Sequence, residues 1–192
     1  MALVLTSPPA LEPVALAEAK AHLRVGHGDE DALITRLITA ARAHLESTLT
    51  RAFVTQGWSL WLDAWPAGGI VRLPLAPVRE IAAVRIFDTA GVVTSLTSAI
   101  WFLDAVSHPA RLVAQAGNVW PRPGRRANGI EVAFSAGHGD LASEVPEELR
   151  QAILLLVAHW YENREPADAS ATVIPLPHGI AELIAPFRER RI

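Results

Sequence analysis

The chain has 192 residues, a formal net charge of −3 and no cysteine. This length allows one domain, or one domain with a sizeable insertion, and the lack of cysteine excludes disulfide frameworks, thiol catalysis and cysteine-ligated metals. Apolar residues make up 51% and charged residues 19%, so whole-chain disorder is excluded. The net negative charge disfavours tight DNA binding. The low fraction of charged residues indicates that a partner covers part of the surface.

Helices are predicted in the first quarter of the chain. A short helix carries apolar residues from Leu16 to Leu23 and is expected to end before Gly26. A longer helix, preceded by acidic residues 29–31 that suit a helix N-terminus, should run to about Arg51. Its single apolar stripe has i, i+4 and i+7 spacing and consists of Leu33, Ile34, Leu37, Ile38, Ala41, Leu45 and Leu49.

Short alternating periods and frequent prolines replace the helical pattern from Val54 to about Phe134. Residues 88–91, with the sequence Asp-Thr-Ala-Gly, are typical of a turn between two strands of a hairpin. The pattern predicts a small antiparallel β unit whose strands lie near residues 58–62, 71–73, 83–87, 92–96, 100–103, 110–114 and 130–134.

A third helix is predicted after Pro146, with Glu147 and Glu148 in its first turn and an end near Pro166. Its main stripe consists of Leu149, Ile153, Leu156, Val157 and Trp160. The longest apolar run of the chain, residues 152–158, is far shorter than the ~20 residues that span a bilayer, so no membrane contact is expected. Residues 179–185 have the pattern of one or two further helical turns.

The order of helices, then strands, then helices predicts an α+β fold rather than a wound parallel sheet. The expected architecture is a helical core made from both chain ends, with an inserted small antiparallel β unit. The corresponding domains are residues 1–53 with residues 141–192, which carry a C-terminal docking arm, and residues 54–140, which form the insert.

Few residue patterns indicate catalysis. The seven histidines show no metal-ligand spacing. Residues 137–140, with the sequence Gly-His-Gly-Asp, are the most enzyme-like string, because flexible glycines beside His138 and Asp140 can hold an acid–base pair. The favoured alternative is a turn that joins the last strand to the third helix, with glycine supplying positive φ.

Aromatic and basic residues of the predicted β unit allow a binding function. The tryptophans form either a sugar-stacking platform or the filling of a small core; they are Trp58, Trp61, Trp65, Trp101 and Trp120. Arg122, Arg125 and Arg126 form a basic loop, for which a solvated hairpin tip is favoured over a phosphate contact. A small β-containing enzyme or carbohydrate-binding module therefore stands beside a structural protein as an alternative.

Four segments together resemble the phage head–tail connector (adaptor) family. Residues 160–165, with the sequence Trp-Tyr-Glu-Asn-Arg-Glu, are similar to the family's signature at the end of the third helix. Residues 8–23 resemble its opening, residues 136–154 its entry into the third helix, and residues 179–188 its C-terminal motif. The nearest resemblance is to adaptors of long-tailed phages and of phage-derived gene transfer agents. His138, where an aromatic such as Tyr is expected, and Ala15, where a capping Thr is expected, depart from the pattern.

The resemblance implies a structural protein that is not an enzyme and needs no cofactor or metal. Such adaptors form a closed ring, commonly of twelve subunits, beneath the capsid portal, in the neck of a virion or phage-like particle. They join the portal protein to a stopper or tail-side connector, and DNA passes through the middle without specific binding. A protein of this kind is made in the bacterial cytoplasm.

Two groups of residues are candidate contacts within such an assembly. Trp160, Glu162 and Arg164 are subunit-interface candidates, with capping of their own fold as the alternative. The portal-docking candidates combine apolar side chains with arginines that can bind carboxylates bidentately, and the alternative is a C-terminal helix folded back on its own subunit. These candidates are Leu176, Ile180, Leu183, Ile184, Phe187, Arg188, Arg190 and Arg191.

Overall fold

The computed structural model describes residues 1–163 and 179–188. Over these residues the chain forms eight β-strands and four α-helices and divides into two compact units. Met1–Ala10 and Thr50–His138 form the first, named here the sheet unit. Leu11–Leu49 and the described residues from Gly139 onward form the second, the helical unit.

The sheet unit contains two antiparallel sheets. Its strands are β1 (Ala2–Ser7), β2 (Gln56–Leu62), β3 (Ile70–Arg72), β4 (Val78–Phe87), β5 (Val93–Leu96), β6 (Trp101–Asp104), β7 (Arg111–Ala114) and β8 (Ile130–Ala136). The larger sheet has the order β1-β2-β8-β4-β5, and the smaller sheet has the order β3-β7-β6. The predicted hairpin at residues 88–91 is confirmed, because it joins β4 to β5.

Strand β8 lies at the centre of the larger sheet. It pairs with β2 from Gln56↔Ala136 to Leu62↔Ile130, and its other edge pairs with β4. Its side chains alternate between buried and half-buried positions, the period expected of a strand with one face on a core. Ile130, Val132 and Phe134 therefore join Leu60, Val84 and Leu112 in a hydrophobic core that belongs to the sheet unit.

The helical unit is built from α1 (Leu16–Leu23), α2 (Asp31–Leu49), α3 (Glu147–Glu162) and α4 (Ile180–Ile184). α2 packs against α3, and α1 and α4 also contact α3. The buried side chains recur at helical spacing along both long helices. They are Ile34, Ile38, Ala41, Leu45 and Leu49 in α2, and Leu149, Ile153, Leu156 and Val157 in α3. No helix within the described ranges is long and apolar enough to cross a bilayer.

The predicted fold, a helical core from both chain ends with a small inserted β unit, is wrong. The beginning of the chain does not join the helices, because Ala2–Ser7 forms edge strand β1 and pairs with β2. The strands form two sheets around a hydrophobic core of their own rather than a small insert. The physical reason lies in residues 2–7, an uncharged run with the length and chemistry of an edge strand, which Pro8 ends.

Replacement of Ile153 by Ala tests the core of the helical unit. Ile153 is fully buried, so the substitution removes apolar contacts and leaves a cavity that should lower the free energy of unfolding by about 2–5 kcal/mol. Urea unfolding followed by circular dichroism measures this change. Leu141→Ala is the matched control, because Leu141 is 59% exposed and should change stability by less than about 0.5 kcal/mol. Equal stability of the two variants would contradict the packing described here.

Candidate functional site

The end of α3, where the interface candidates lie, packs within the helical unit. Trp160 is half-buried, and its ring meets that of His44 in α2 edge-on, with centroids 5.9 Å apart and planes at 76°. The Tyr161 hydroxyl donates a hydrogen bond to the Glu30 carboxylate. Asn163 ends the helix, since its side-chain Nδ2 donates to the carbonyl oxygen of His159 at 2.8 Å. These aromatic residues therefore hold α3 against the rest of its own unit.

Glu162 is the interface candidate that faces solvent. Its carboxylate is exposed and forms no ion pair with another residue in the described part of the chain. Arg164 lies outside the described residues. The interface role of Trp160, Glu162 and Arg164 stays a prediction, and among them Glu162 is the described charged group free to meet a neighbour.

The portal-docking candidates divide between the interior and the surface of the helical unit. Ile180 and Ile184 are buried, and α4 contacts α3 of the same chain. α4 begins after Gly179, which has a φ of +101° that favours glycine. Leu183 and Phe187 are half-buried and Arg188 is exposed. Leu176, Arg190 and Arg191 lie outside the described residues, so Arg188 is the docking candidate that the structure presents to solvent.

Sequence reasoning missed a groove on the helical unit. The groove has a volume of about 680 Å³ and is lined by the segment that leads into α1, by α2 and by the turn before α3. Buried Val14 and Ile38 contribute apolar surface to its lining, as do the exposed Leu11 and Leu141. No sequence signal marks it, because its walls come from segments more than 100 residues apart in the chain.

Two arginines hold the walls of this groove in place. Arg150 of α3 donates to Glu18 at 2.8 Å, to Glu147 at 2.7 Å and to the carbonyl oxygen of Pro13 at 3.0 Å. Since Glu18 and Pro13 belong to the segment around α1, one guanidinium fixes that segment to α3. The side chain satisfies three acceptors with its rigid fork of donors, a geometry that lysine does not offer.

Arg42 of α2 binds Glu12, a residue of the groove's lining, and so fixes the segment before α1 to α2. It donates to Glu12 at 2.7 Å and to Glu46 at 2.6 Å, and only 9% of the residue is exposed. Burial acts to lower the pKa of Arg42, but hydrogen bonds and charge from Glu12 and Glu46 outweigh burial and raise it. Of these charged groups, Glu12, Glu18 and Arg150 line the groove, and Arg42 and Glu46 hold Glu12 in place from α2.

The tryptophans of the sheet unit act as structural residues. Trp65 and Trp120 stack on each other, with centroids 4.1 Å apart and an interplanar angle of 14°. Their indole N–H groups donate to the carbonyl oxygens of Pro121 at 2.8 Å and Gly69 at 2.6 Å. Trp58, Trp65, Trp101 and Trp120 all pack against the sheet core. One face of each stacked ring is therefore occupied by the other ring rather than free for a sugar.

The Gly-His-Gly-Asp string forms the turn after β8. A side chain at Gly137 would lie 2.6 Å from Thr55 Cα, and the backbone N–H of His138 donates to the carbonyl oxygen of Phe53 at 2.8 Å. No cluster of His, Cys, Asp and Glu residues suited to a metal ion occurs within residues 1–163 and 179–188. This close main-chain approach explains the glycine without an acid–base role for His138.

The environment of His138 makes stability depend on pH. Burial lowers the pKa of His138 below its ordinary value of 6.5, and the charge of Arg51 lowers it further. As pH falls through 6.5, the unfolded chain binds a proton at this ring before the folded chain does, so the free energy of unfolding decreases. We expect His138→Tyr, which removes this proton uptake, to lose less stability than the wild type between about pH 7.5 and pH 5.

Urea unfolding at several pH values measures this difference, with His138→Gln as a second variant that keeps a polar side chain. Both variants should show a shallower loss of stability towards acid than the wild type. An identical pH dependence in all three proteins would mean that His138 titrates alike in the folded and unfolded chains.

Comparison with known proteins gives consistent matches. The model of the phage gp6-like head-tail connector protein family matches residues 13–72. A chain from the neck of an empty gene transfer agent particle, reconstructed with C6 symmetry, is 32% identical with a TM-score of 0.84, and the alignment covers 100% of this chain and 97% of that chain.

Two further solved structures agree. A chain from the virion of a native gene transfer agent particle is 31% identical with a TM-score of 0.83, and a chain from the neck of a native particle, reconstructed with C12 symmetry, is 31% identical with a TM-score of 0.81. Both alignments cover 100% of this chain and 97% of the other. No curated protein sequence matches significantly. Identity above 30% over the whole length, with the family match at residues 13–72, shows that the chain belongs to the phage gp6-like head–tail connector family.

Proposed function

We propose that this chain is the structural adaptor of a phage-like particle, where copies form a closed ring beneath the capsid portal. The ring links the portal to a stopper or tail-side connector and leaves a channel for DNA. The observation that carries the proposal is the full-length similarity to chains from gene transfer agent necks. Similarity confined to one unit would support a shared fold only, whereas here both units match.

Symmetry supports a ring of copies. The two neck structures were reconstructed with sixfold and twelvefold symmetry, and a closed ring is the arrangement that rotational symmetry of one chain produces. Each subunit of such a ring offers two different faces to its two neighbours. The exposed Glu162, together with Arg164 in the adjoining sequence, is our candidate for an ion pair with a neighbouring copy, and Trp160 supports it by fixing the end of α3.

The charge balance supports a channel through which DNA moves. Each phosphate that a cationic side chain neutralises releases counterions and strengthens binding, so a channel wall rich in free arginine would retard DNA. The formal net charge of the chain is −3. Four of its arginines, Arg42, Arg85, Arg111 and Arg150, are held in ion pairs with carboxylates in the described part of the chain. A ring of such subunits carries a net negative charge, which opposes retention of DNA.

The C-terminal residues are the proposed contact with the portal. Ile180 and Ile184 anchor α4 within the helical unit, and Arg188 follows on the surface. The sequence continues with Arg190 and Arg191, so three arginines occur within four residues beyond an anchored helix. We assign the portal contact to these arginines, with Leu176, Leu183 and Phe187 as accompanying apolar residues, because guanidinium groups bind carboxylates bidentately.

Head–tail joining in vitro tests the proposed function. Particles made without this protein should accumulate as DNA-filled heads and separate tails, because nothing joins the two. Purified full-length protein, added to these heads before the tails, should restore complete particles in electron micrographs. If particles made without the protein carry tails at the normal yield, the adaptor function is wrong.

Substitution of Arg188, Arg190 and Arg191 by Ala tests the portal contact. Loss of three charge-assisted contacts should weaken binding to portal-bearing heads by at least about tenfold. The melting temperature should not change, because the buried anchor residues remain. The matched control replaces Arg36, Arg122 and Arg126, which are exposed, and so removes the same charge elsewhere. Co-sedimentation with heads measures both variants, and equal binding by the two would contradict the assignment.

A further inference from the structure

The larger sheet ends in two strands that each have one open edge. β1 pairs with β2 alone, and β5 pairs with β4 alone, within the residues that the structure describes. The main-chain N–H and C=O groups along each open edge are available to another strand. One sheet thus offers two strand-pairing surfaces, on opposite sides and of different sequence.

Neither edge strand contains a charged residue or a proline. Natural proteins protect exposed edges with charged side chains or proline. β1 has the sequence Ala-Leu-Val-Leu-Thr-Ser, and residues 92–97, which include β5, read Val-Val-Thr-Ser-Leu-Thr, so both lack charge and proline. The shift in pairing register on β1 falls between Leu5 and Ser7, which leaves Ala2 to Leu5 as a regular, unprotected edge.

Exposed apolar side chains occur on or beside both of these strands. Val4 and Leu5 of β1 are 47% and 44% exposed, Val93 at the start of β5 is 48% exposed, and Val92 just before it is 62% exposed. Consecutive side chains on a strand point to opposite faces, so each edge exposes apolar groups on both faces, and covering them removes apolar surface from water. Both edges therefore present unpaired backbone groups and exposed apolar side chains to which a further strand can bind.

The smaller sheet differs in the charge of its edge strands and serves as an internal comparison. β3 contains Arg72, and β6, which has four residues like β5 and an exposed Phe102, contains Asp104. Asp104 is held in place by Arg111 at 2.6 Å and by Ser107 at 2.7 Å. The charge on these edges is the kind of protection that the larger sheet lacks.

We propose that β1 of one copy pairs with β5 of the neighbouring copy, so that main-chain hydrogen bonds join the larger sheets of successive subunits around the ring. This inference rests on the ring in the proposed function. A second copy of the chain is the fitting occupant because a head-to-tail contact needs two different surfaces on each subunit, and closure of the ring uses both of them. A strand from another protein would cover one edge and leave the other exposed.

The length of β5 limits what the pairing contributes. A contact over its four residues supplies a small part of the roughly 1,200–2,000 Å² that a stable interface buries. The strand pairing therefore fixes the direction and register of neighbouring subunits, while other surfaces supply most of the buried area. A substitution that blocks pairing at either edge should reduce the number of copies retained on a particle without unfolding the subunit.

Disulfide cross-linking tests the pairing directly, because the chain has no cysteine of its own. Three double variants combine Val4→Cys with Val93→Cys, Thr94→Cys or Ser95→Cys. Opposed residues on paired strands have Cβ atoms about 4.5–5.5 Å apart, and the closest such pairs approach the spacing of a disulfide. After mild oxidation of assembled particles, at least one variant should give a ladder of covalent multimers on a non-reducing gel. Val4→Cys with Val106→Cys, whose second site is 90% exposed in the loop after β6, should remain monomeric.

A second measurement does not depend on disulfide geometry. A lysine on an edge strand opposes pairing, so Val4→Lys should retain at least about tenfold fewer copies per particle than Val106→Lys, with the melting temperatures of both variants near that of the wild type. If rings are present on particles but every Cys pair stays monomeric and Val4→Lys is retained normally, the strand pairing is wrong and the adaptor function stands. If the wild-type protein is absent from the neck, the adaptor function itself fails, and the strand pairing fails with it.

Discussion

The packing of α3 against α2 is the contact on which the rest of the helical unit depends. α1 and α4 both contact α3, and Arg150 on α3 fixes the segment around α1 through Glu18 and the Pro13 carbonyl. The segment at the end of α3 serves the same contact, since Trp160 meets His44 and Tyr161 donates to Glu30. The aromatic residues of this segment therefore pack within the helical unit, while Glu162 stays exposed.

Periodic segments were predictable from the sequence, and the departures have physical causes. α2 ends at Leu49, close to the predicted end at Arg51, because a single uninterrupted stripe specifies a helix. β4 begins at Val78, five residues before its predicted start, because register shifts after Val78 and after Ile81 break the period of two. β1 was not predicted, because the six uncharged residues before Pro8 show no alternation of apolar and polar side chains. Its pairing partner β2 also begins about 50 residues later in the chain.

The residue types of the candidate contacts were predictable from the sequence, but the positions of these residues in the fold were not. An apolar and basic C-terminal segment is evident from the sequence, but burial of Ile180 and Ile184 depends on their packing against α3, which residue types do not reveal. The basic loop lies at the surface, since Arg122, Arg125 and Arg126 are exposed, and the Arg125 guanidinium lies 4.9 Å from the centre of the Phe87 ring. The groove held by Arg42 and Arg150 and the unprotected sheet edges are products of tertiary structure. The two units therefore offer different chemistry, charged on the helical unit and uncharged on the edges of the larger sheet.

The most direct measurement is an electron cryomicroscopy reconstruction, without imposed symmetry, of the neck of particles assembled with this protein. We expect a closed ring of copies between the portal and the tail-side components, with the C-terminal arginines of each copy against the portal and β1 of each copy beside β5 of the next. Copies that do not touch one another, or a neck that lacks this chain altogether, would contradict it.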